Sequence, residues 1–246
     1  MPDEIGGFQT AGLSWEQRAE TGELNAAISP TGPERSNRFV HAAQLVGARI
    51  ASALTRRPAV VLDFGCGTGR FLRYFGSKGY RTVGTEITFG MLRNAKRFGL
   101  PSHALMLRTD GIVIPARENS IDLIWCCSVL RYSLLVANPV HADIAREMHR
   151  VLKPGGLVVN YEMYVNNPPQ TFVRDFEAVG FRTRHIKVLH RWSGIPERIL
   201  QFAVIPSMLL PLAGRLCAAV RMLVDSPHRR AVGLRDYLFV FSKPAA

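Results

Sequence analysis

Apolar residues recur along this chain with two different periods. Phe39, Ala43, Val46, Ile50 and Leu54 follow the i, i+4, i+7 spacing of an amphipathic helix that ends before Arg56-Arg57-Pro58. From Ala59 the texture changes to short apolar runs alternating with helical patterns. AVVLDF (59–64), bounded by Pro and Gly, predicts a strand buried on both faces, and a helix follows over 70–78. RTVGTEI (81–87) predicts a second strand, with a helix over 91–98 behind it. SHALMLRTD (102–110), SIDLIWCCSV (120–129) and GLVVNYEM (156–163) supply the third, fourth and fifth. The helix around Ile144, Met148, Val151 and Leu152 is expected to stop at Lys153-Pro154-Gly155-Gly156. A helix over 170–179 ending at Gly180, a strand over 181–190 and a last strand over 237–243 complete the pattern.

Strands and helices alternating at this spacing predict an α/β fold with a doubly wound, mostly parallel sheet of seven strands. The last strand has no crossover helix behind it and is expected to lie antiparallel to its neighbour. Residues 1–35, rich in Gly, Pro, Thr and Ser, read as a loose lead-in with a short helix near 14–21.

One stretch does not fit a sheet. Residues 199–214, ILQFAVIPSMLLPLAG, contain no charge, in a chain of 246 residues with a net charge of +12. A spanning helix needs about 20 apolar residues. Two prolines interrupt this run, so it predicts short helices inserted before the last strand. The surrounding charge is basic: residues 174–246 hold twelve Lys/Arg against five Asp/Glu and thereby supply +7 of the +12. Such a balance attracts anions without choosing among nucleic acid, phosphorylated substrate and anionic membrane.

The first strand runs into DFGCGTGR, placing Asp63, Gly65, Cys66, Gly67 and Gly69 at a strand-to-helix turn. Glycines there permit positive φ and let a ligand approach the main chain. A dinucleotide fingerprint requires a third glycine where this chain has Arg70. Glu86 ends the second strand 21 residues after Gly65, and Asp110 with Gly111 ends the third. From about residue 59 to 160 this series resembles the class I S-adenosylmethionine-dependent methyltransferases, including EMHRVLKPGGLVV (147–159) before the fifth strand. The resemblance implies a Rossmann-like core with S-adenosylmethionine as cofactor. It implies that Glu86 bonds the ribose hydroxyls, that Asp110 and Gly111 hold the adenine, that Ile87 and Ile112 sandwich the ring, and that Ser128 lies beside the cofactor.

On this reading residues 1–57 form a lead-in and helix packed on the core, 58–191 the methyltransferase core, 192–234 an apolar and basic helical insertion, and 235–246 the last core strand. Methyl transfer from a sulfonium is an in-line displacement accelerated by alignment, and it requires no metal. The seven histidines and four cysteines show no metal-ligand spacing. Ligands of open α/β sheets bind beyond the carboxyl ends of the strands. Arg131 and Tyr132, after strand four, and His141, at the head of the next helix, are therefore the catalytic candidates. Many small-molecule members of the family carry a histidine pair where this chain has Leu130-Arg131-Tyr132. NNPPQ (166–170) is similar to the Asn-Pro-Pro-aromatic motif of amino methyltransferases, yet it follows strand five and ends in Gln170.

The acceptor is expected to be a small molecule or a lipid-linked compound, methylated on oxygen or carbon. Peripheral contact with an anionic membrane and homo-oligomerisation are further expectations, with nucleic acid less favoured. An RNA methyltransferase and a non-catalytic scaffold subunit that binds the cofactor are the alternatives. Four cysteines without a disulfide pattern and an acidic N-terminus without a signal pattern suit a cytoplasmic protein.

Overall fold

The computed structural model describes residues 14–133, 140–165, 170–191, 206–225 and 234–245. A single sheet of seven strands organises them: β1 (Val60–Phe64), β2 (Arg81–Glu86), β3 (Leu105–Arg108), β4 (Ile121–Cys127), β5 (Leu152–Val165), β6 (Arg182–Arg191) and β7 (Leu234–Ser242). Their order is β3-β2-β1-β4-β5-β7-β6. The first five pair in parallel, whereas β7 lies antiparallel between β5 and β6. The strand order reverses at β1, so the crevice beyond the carboxyl ends of β1 and β4 is the place where such sheets bind ligands.

Helices among the described residues are α1 (Trp15–Ala19), α2 (Glu23–Ala27), α3 (Glu34–Leu54), α4 (Arg70–Ser77), α5 (Phe89–Arg97), α6 (Leu130–Ser133), α7 (His141–Val151), α8 (Gln170–Ala178) and α9 (Leu210–Val224), the last preceded by a 3-10 turn, Ser207–Leu209. Because side chains alternate across a strand, β1 sends Leu62 and Phe64 to one face of the sheet and Val61 to the other. On the first face Ile144 and Met148 of α7 and Phe172 and Phe176 of α8 pack against Ile124, Val158, Phe239 and Phe241. Phe176 and Phe241 stack with ring centroids 4.5 Å apart, a geometry worth about 0.5–1.5 kcal/mol beyond the area it buries. On the second face Ala43 and Ala51 of α3, Phe71 and Phe75 of α4 and Ala218 of α9 cover Val61, Leu123, Trp125, Val159, Leu238 and Val240.

The structure shortens β3 to Leu105–Arg108, begins β7 at Leu234 instead of 237, and moves the start of β5. β5 begins at Leu152, ahead of the Lys-Pro-Gly-Gly stretch instead of after it. Leu152 pairs with Ile121, the register then slips, and pairing resumes at Leu157 with Leu123. Gly155, at φ 80°, donates its N–H to the Lys243 carbonyl, and the Lys243 N–H returns to Gly156. Backbone bonds to the end of β7 thus hold as an irregular strand what local composition marks as a stop.

The lead-in helix is tied to the core. Ser14 and Gln17 form a capping box on α1. The Glu16 carboxylate accepts the backbone N–H groups of Phe89 and Gly90, capping the N-terminus of α5. Arg18 is buried, donates to the Ala26 carbonyl and stacks on Trp15 at 4.3 Å.

Candidate active site

β1 ends in a turn whose three glycines all have positive φ: Gly65 at 71°, Gly67 at 51° and Gly69 at 75°. The Thr85 carbonyl of β2 accepts the N–H groups of both Gly65 and Cys66, locking the turn onto the neighbouring strand. A Cβ on Gly65 would lie 2.5 Å from a Val129 methyl, whereas one on Gly67 would meet nothing within 4 Å. Gly65 therefore serves packing, and Gly67 leaves its main chain open to a visitor. Glu86 closes the arrangement: its carboxylate accepts Gly67 N–H at 2.8 Å and the N–H groups of Ile87 and Thr88 at 2.9 and 3.0 Å. Burial raises its pKa, while those amide donors pull the other way.

Around this turn opens a cleft with about 1110 Å³ of free space, its mouth included. Its floor is Phe64, Gly65, Cys66, Gly67 and Thr85. Its apolar lining includes Ile87, Met91, Ile112, Val129 and Ile144, with Trp15 contributed by the lead-in. Glu86, Gly111 and Ser128 also face it. Ser128 holds φ at 59°, a left-handed conformation rare for a residue with a side chain, and its N–H donates to the Tyr161 carbonyl of β5.

Behind the turn lies a second polar layer on the α3 side of the sheet. Asp63 is buried and neither carboxylate oxygen has a hydrogen-bond partner among the described residues. Desolvation pushes its pKa up to about 8, with Arg70 opposing and Glu86 reinforcing the shift. Arg70, the residue that breaks the dinucleotide pattern, faces the cleft and donates from Nη1 to Gln44 Oε1 at 2.8 Å, with His41 Nδ1 at 2.7 Å. A guanidinium only donates, so His41 Nδ1 accepts. Burial, reinforced by Arg70, lowers the His41 pKa to about 3 and keeps the ring neutral.

Among the sequence candidates, Gly65, Cys66, Gly67, Glu86, Ile87, Gly111 and Ser128 meet around one cleft. Gly69 stands behind it, where an added Cβ would lie 2.8 Å from Leu100. Asp110 is exposed and its Oδ1 accepts the N–H groups of Ile112 and Val113, shaping the turn that carries Gly111 and Ile112. His141 is buried against Asp175 of α8 and does not line the cleft, although its neighbour Val140 does. Arg131 turns to Glu162: its N–H donates to Oε2 at 3.1 Å and its Nε lies 3.7 Å from Oε1. The Tyr132 side chain and most of the Asn-Pro-Pro stretch lie outside the described residues. Sequence reasoning missed Trp15, Thr109 and Cys127 in the cleft. None of the three left a local signal in the sequence.

The residues present fit S-adenosylmethionine: a carboxylate at the glycine turn for vicinal hydroxyls, aliphatic walls for a purine, an open main chain at Gly67, and an unpaired buried carboxylate at Asp63 for positive charge. Residues 62–160 match the family model described as a methyltransferase domain. Those residues carry a methyltransferase domain of the class I S-adenosylmethionine-dependent type. The chain is 28% identical over 155 residues to a malonyl-[acyl-carrier protein] O-methyltransferase of Salmonella typhimurium, covering 61% of this chain and 54% of that protein. It is 31% identical over 141 residues to a 24-methylenesterol C-methyltransferase 2 of Oryza sativa subsp. japonica, covering 55% and 37%. The chain spans about half or less of the curated relatives it matches. A geranyl diphosphate C-methyltransferase from Streptomyces coelicolor A3(2) shares the fold at a TM-score of 0.54 and 14% identity, over 92% of this chain and 88% of that one.

Proposed function

We propose that this chain transfers a methyl group from S-adenosylmethionine to a small-molecule or lipid-linked acceptor, on oxygen or carbon. The observation that carries the proposal is the carboxylate of Glu86 bonded to the open main chain at Gly67, at the mouth of an apolar cleft. When bound, S-adenosylmethionine supplies a methyl group activated by its sulfonium.

The chain's own part is placement. Glu86 accepts the ribose hydroxyls while keeping the turn in register, Ile87 and Ile112 grip the purine, and the turn shaped by Asp110 presents Gly111 to the ring. Asp63, its pKa raised to about 8 by burial beneath the turn, would be drawn into its charged form by a cation arriving there, and Trp15 with Val129 and Ile144 excludes water. Among the described residues no histidine faces the cleft, and its titratable side chains are Cys66, Arg70, Glu86 and Cys127. Burial raises both thiol pKa values, and Glu86 is engaged by amides, so none of these is a ready general base. The reading that follows is an acceptor already nucleophilic when it arrives, such as a carboxylate or a stabilised carbanion. Alignment then supplies the acceleration. We place the protein in the cytoplasm, with residues 58–191 and 235–246 forming the catalytic core.

Calorimetric titration with S-adenosylmethionine and S-adenosylhomocysteine, with NAD as comparator, tests this directly. The first two are expected to bind and NAD to fail. Glu86→Ala should weaken the first two by about tenfold or more, since hydrogen bonds to a charged group contribute about 1.5–3 kcal/mol. Unchanged binding in that variant, or no binding to a folded wild type, would sink the assignment.

A further inference from the structure

α9 lies across α3 and β6 with two unlike faces. Its inner face buries Leu210, Gly214, Cys217 and Ala218. Gly214 is pressed so closely on α3 that a Cβ there would lie 2.6 Å from the Phe39 carbonyl oxygen and 2.8 Å from Ala42. The outer face carries Met208, Leu212, Leu216, Val220, Leu223 and Val224 in the open. Leu212, Leu216 and Leu223 are 63%, 62% and 88% exposed, far beyond what a helix spends on water without a partner. They recur at helical spacing and so form one stripe. Ser207–Val224 is long and apolar enough, by length and composition alone, to cross a membrane. The close seat of Gly214 on α3 holds the helix against the protein instead, with only its outer side free.

Charge identifies what the stripe meets. Within α9 the arginines turn inward: Arg221, 14% exposed, lies 3.6 Å from Asp225, and Arg215 Nε is buried. At the adjoining sheet edge β6 exposes Arg182, Arg184 and Lys187. Lys187 pairs with Leu238, whose side chain packs in the layer under α3 and α9, so Lys187 emerges on the α9 side of the sheet. A second copy of the chain would set this basic face against itself. Nucleic acid would find aliphatic side chains where bases need aromatic ones to stack on.

We propose that the outer face of α9 docks in the plane of an anionic lipid bilayer, its aliphatic stripe among the acyl chains and Arg182, Arg184 and Lys187 of the adjoining sheet edge at the headgroups. An exposed aliphatic helix face beside a basic surface has this habit. The inference goes beyond the methyltransferase reading and does not depend on it. An acceptor dissolved in the bilayer would reach the cleft by surface diffusion.

The test is flotation of the full-length protein with phosphatidylcholine vesicles, with and without phosphatidylglycerol. Retention is expected on the anionic vesicles and should weaken as salt rises from about 0.1 M to about 1 M, which shortens the screening length from about 10 Å to about 3 Å. Leu212→Glu/Leu216→Glu/Leu223→Glu should lower the bound fraction by about tenfold or more. Its S-adenosylhomocysteine binding and thermal midpoint report whether it remains folded. Leu216→Trp serves as an independent probe, its fluorescence being quenched by brominated lipid beyond the wild-type background. No retention of the wild type, equal retention of the triple glutamate variant, or no added quenching at Trp overturns the proposal. So does a stable dimer in solution that the triple variant dissociates, which would assign the stripe to a second copy.

Discussion

Replacing Gly65 with alanine tests the turn through two separable terms. The residue holds φ at 71°, a left-handed conformation that costs a residue with a Cβ about 1–2 kcal/mol. The new methyl would also lie 2.5 Å from Val129 Cγ2, and overpacking of this kind adds about 1–3 kcal/mol. Gly65→Ala should therefore destabilise the protein by about 2–5 kcal/mol. Val129→Ala removes the opposing methyls, and by itself costs about 1–2 kcal/mol at about 0.8 kcal/mol per methyl. In the double variant the overlap disappears and the dihedral cost remains, so the double should be less destabilised than the sum of the singles by about 1–3 kcal/mol. Urea denaturation of the four proteins measures the coupling, and S-adenosylhomocysteine titration reports on the turn itself. Additivity within about 0.5 kcal/mol would show that Val129 does not fill the space over Gly65. An unperturbed Gly65→Ala single variant would refute the left-handed turn altogether.

Two further outcomes follow from buried groups on either side of the sheet. Desolvation raises the Glu162 pKa from 4.5 to about 7 despite Arg131 nearby, so the native state keeps a proton that the unfolded chain has lost in that range. Its stabilising contribution is complete below pH 4.5 and is lost as pH rises through about 7. Glu162→Gln should flatten this fall, which amounts to about 3 kcal/mol over the window at about 1.4 kcal/mol per unit. Matching urea midpoints against pH in the two proteins would contradict the assignment. Gly214→Val must push α9 off α3, at about 1–3 kcal/mol, and should speed proteolytic cleavage within α9. An unchanged thermal midpoint and digestion pattern would mean that the helix is not seated as described.

The positions of the glycine turn, Glu86 and Gly111 were legible because they depend on chain order alone: each sits at the end of an apolar run, and parallel strands bring those ends to one edge. His141 shows the limit of that logic. It heads α7 at the correct end of the sheet, yet the side chain turns to Asp175, which lies 34 residues away and comes near only when α8 packs beside α7. Arg131 likewise follows β4 as expected but is drawn to Glu162 on the neighbouring strand. The Lys-Pro-Gly-Gly stretch reads locally as punctuation, and only the bonds to Lys243 keep it within β5.

The resemblance carried by the glycine turn and the strand-end acids implied the cofactor, and sequence alone determined the strand and helix alternation, the parallel sheet with one reversed strand and the glycine turn. These follow from the local period of apolar residues and from the φ angles that glycine permits, which no distant contact needs to supply. Tertiary structure decided which polar groups lose water together. It enclosed the carboxylate of Asp63 without a partner, set His41 and Gln44 around Arg70, and brought Trp15 from the lead-in to the cleft. It also left one face of α9 bare. Burial and pairing are properties of surfaces that meet across the fold, and the order of residues along the chain does not contain them until the chain has folded.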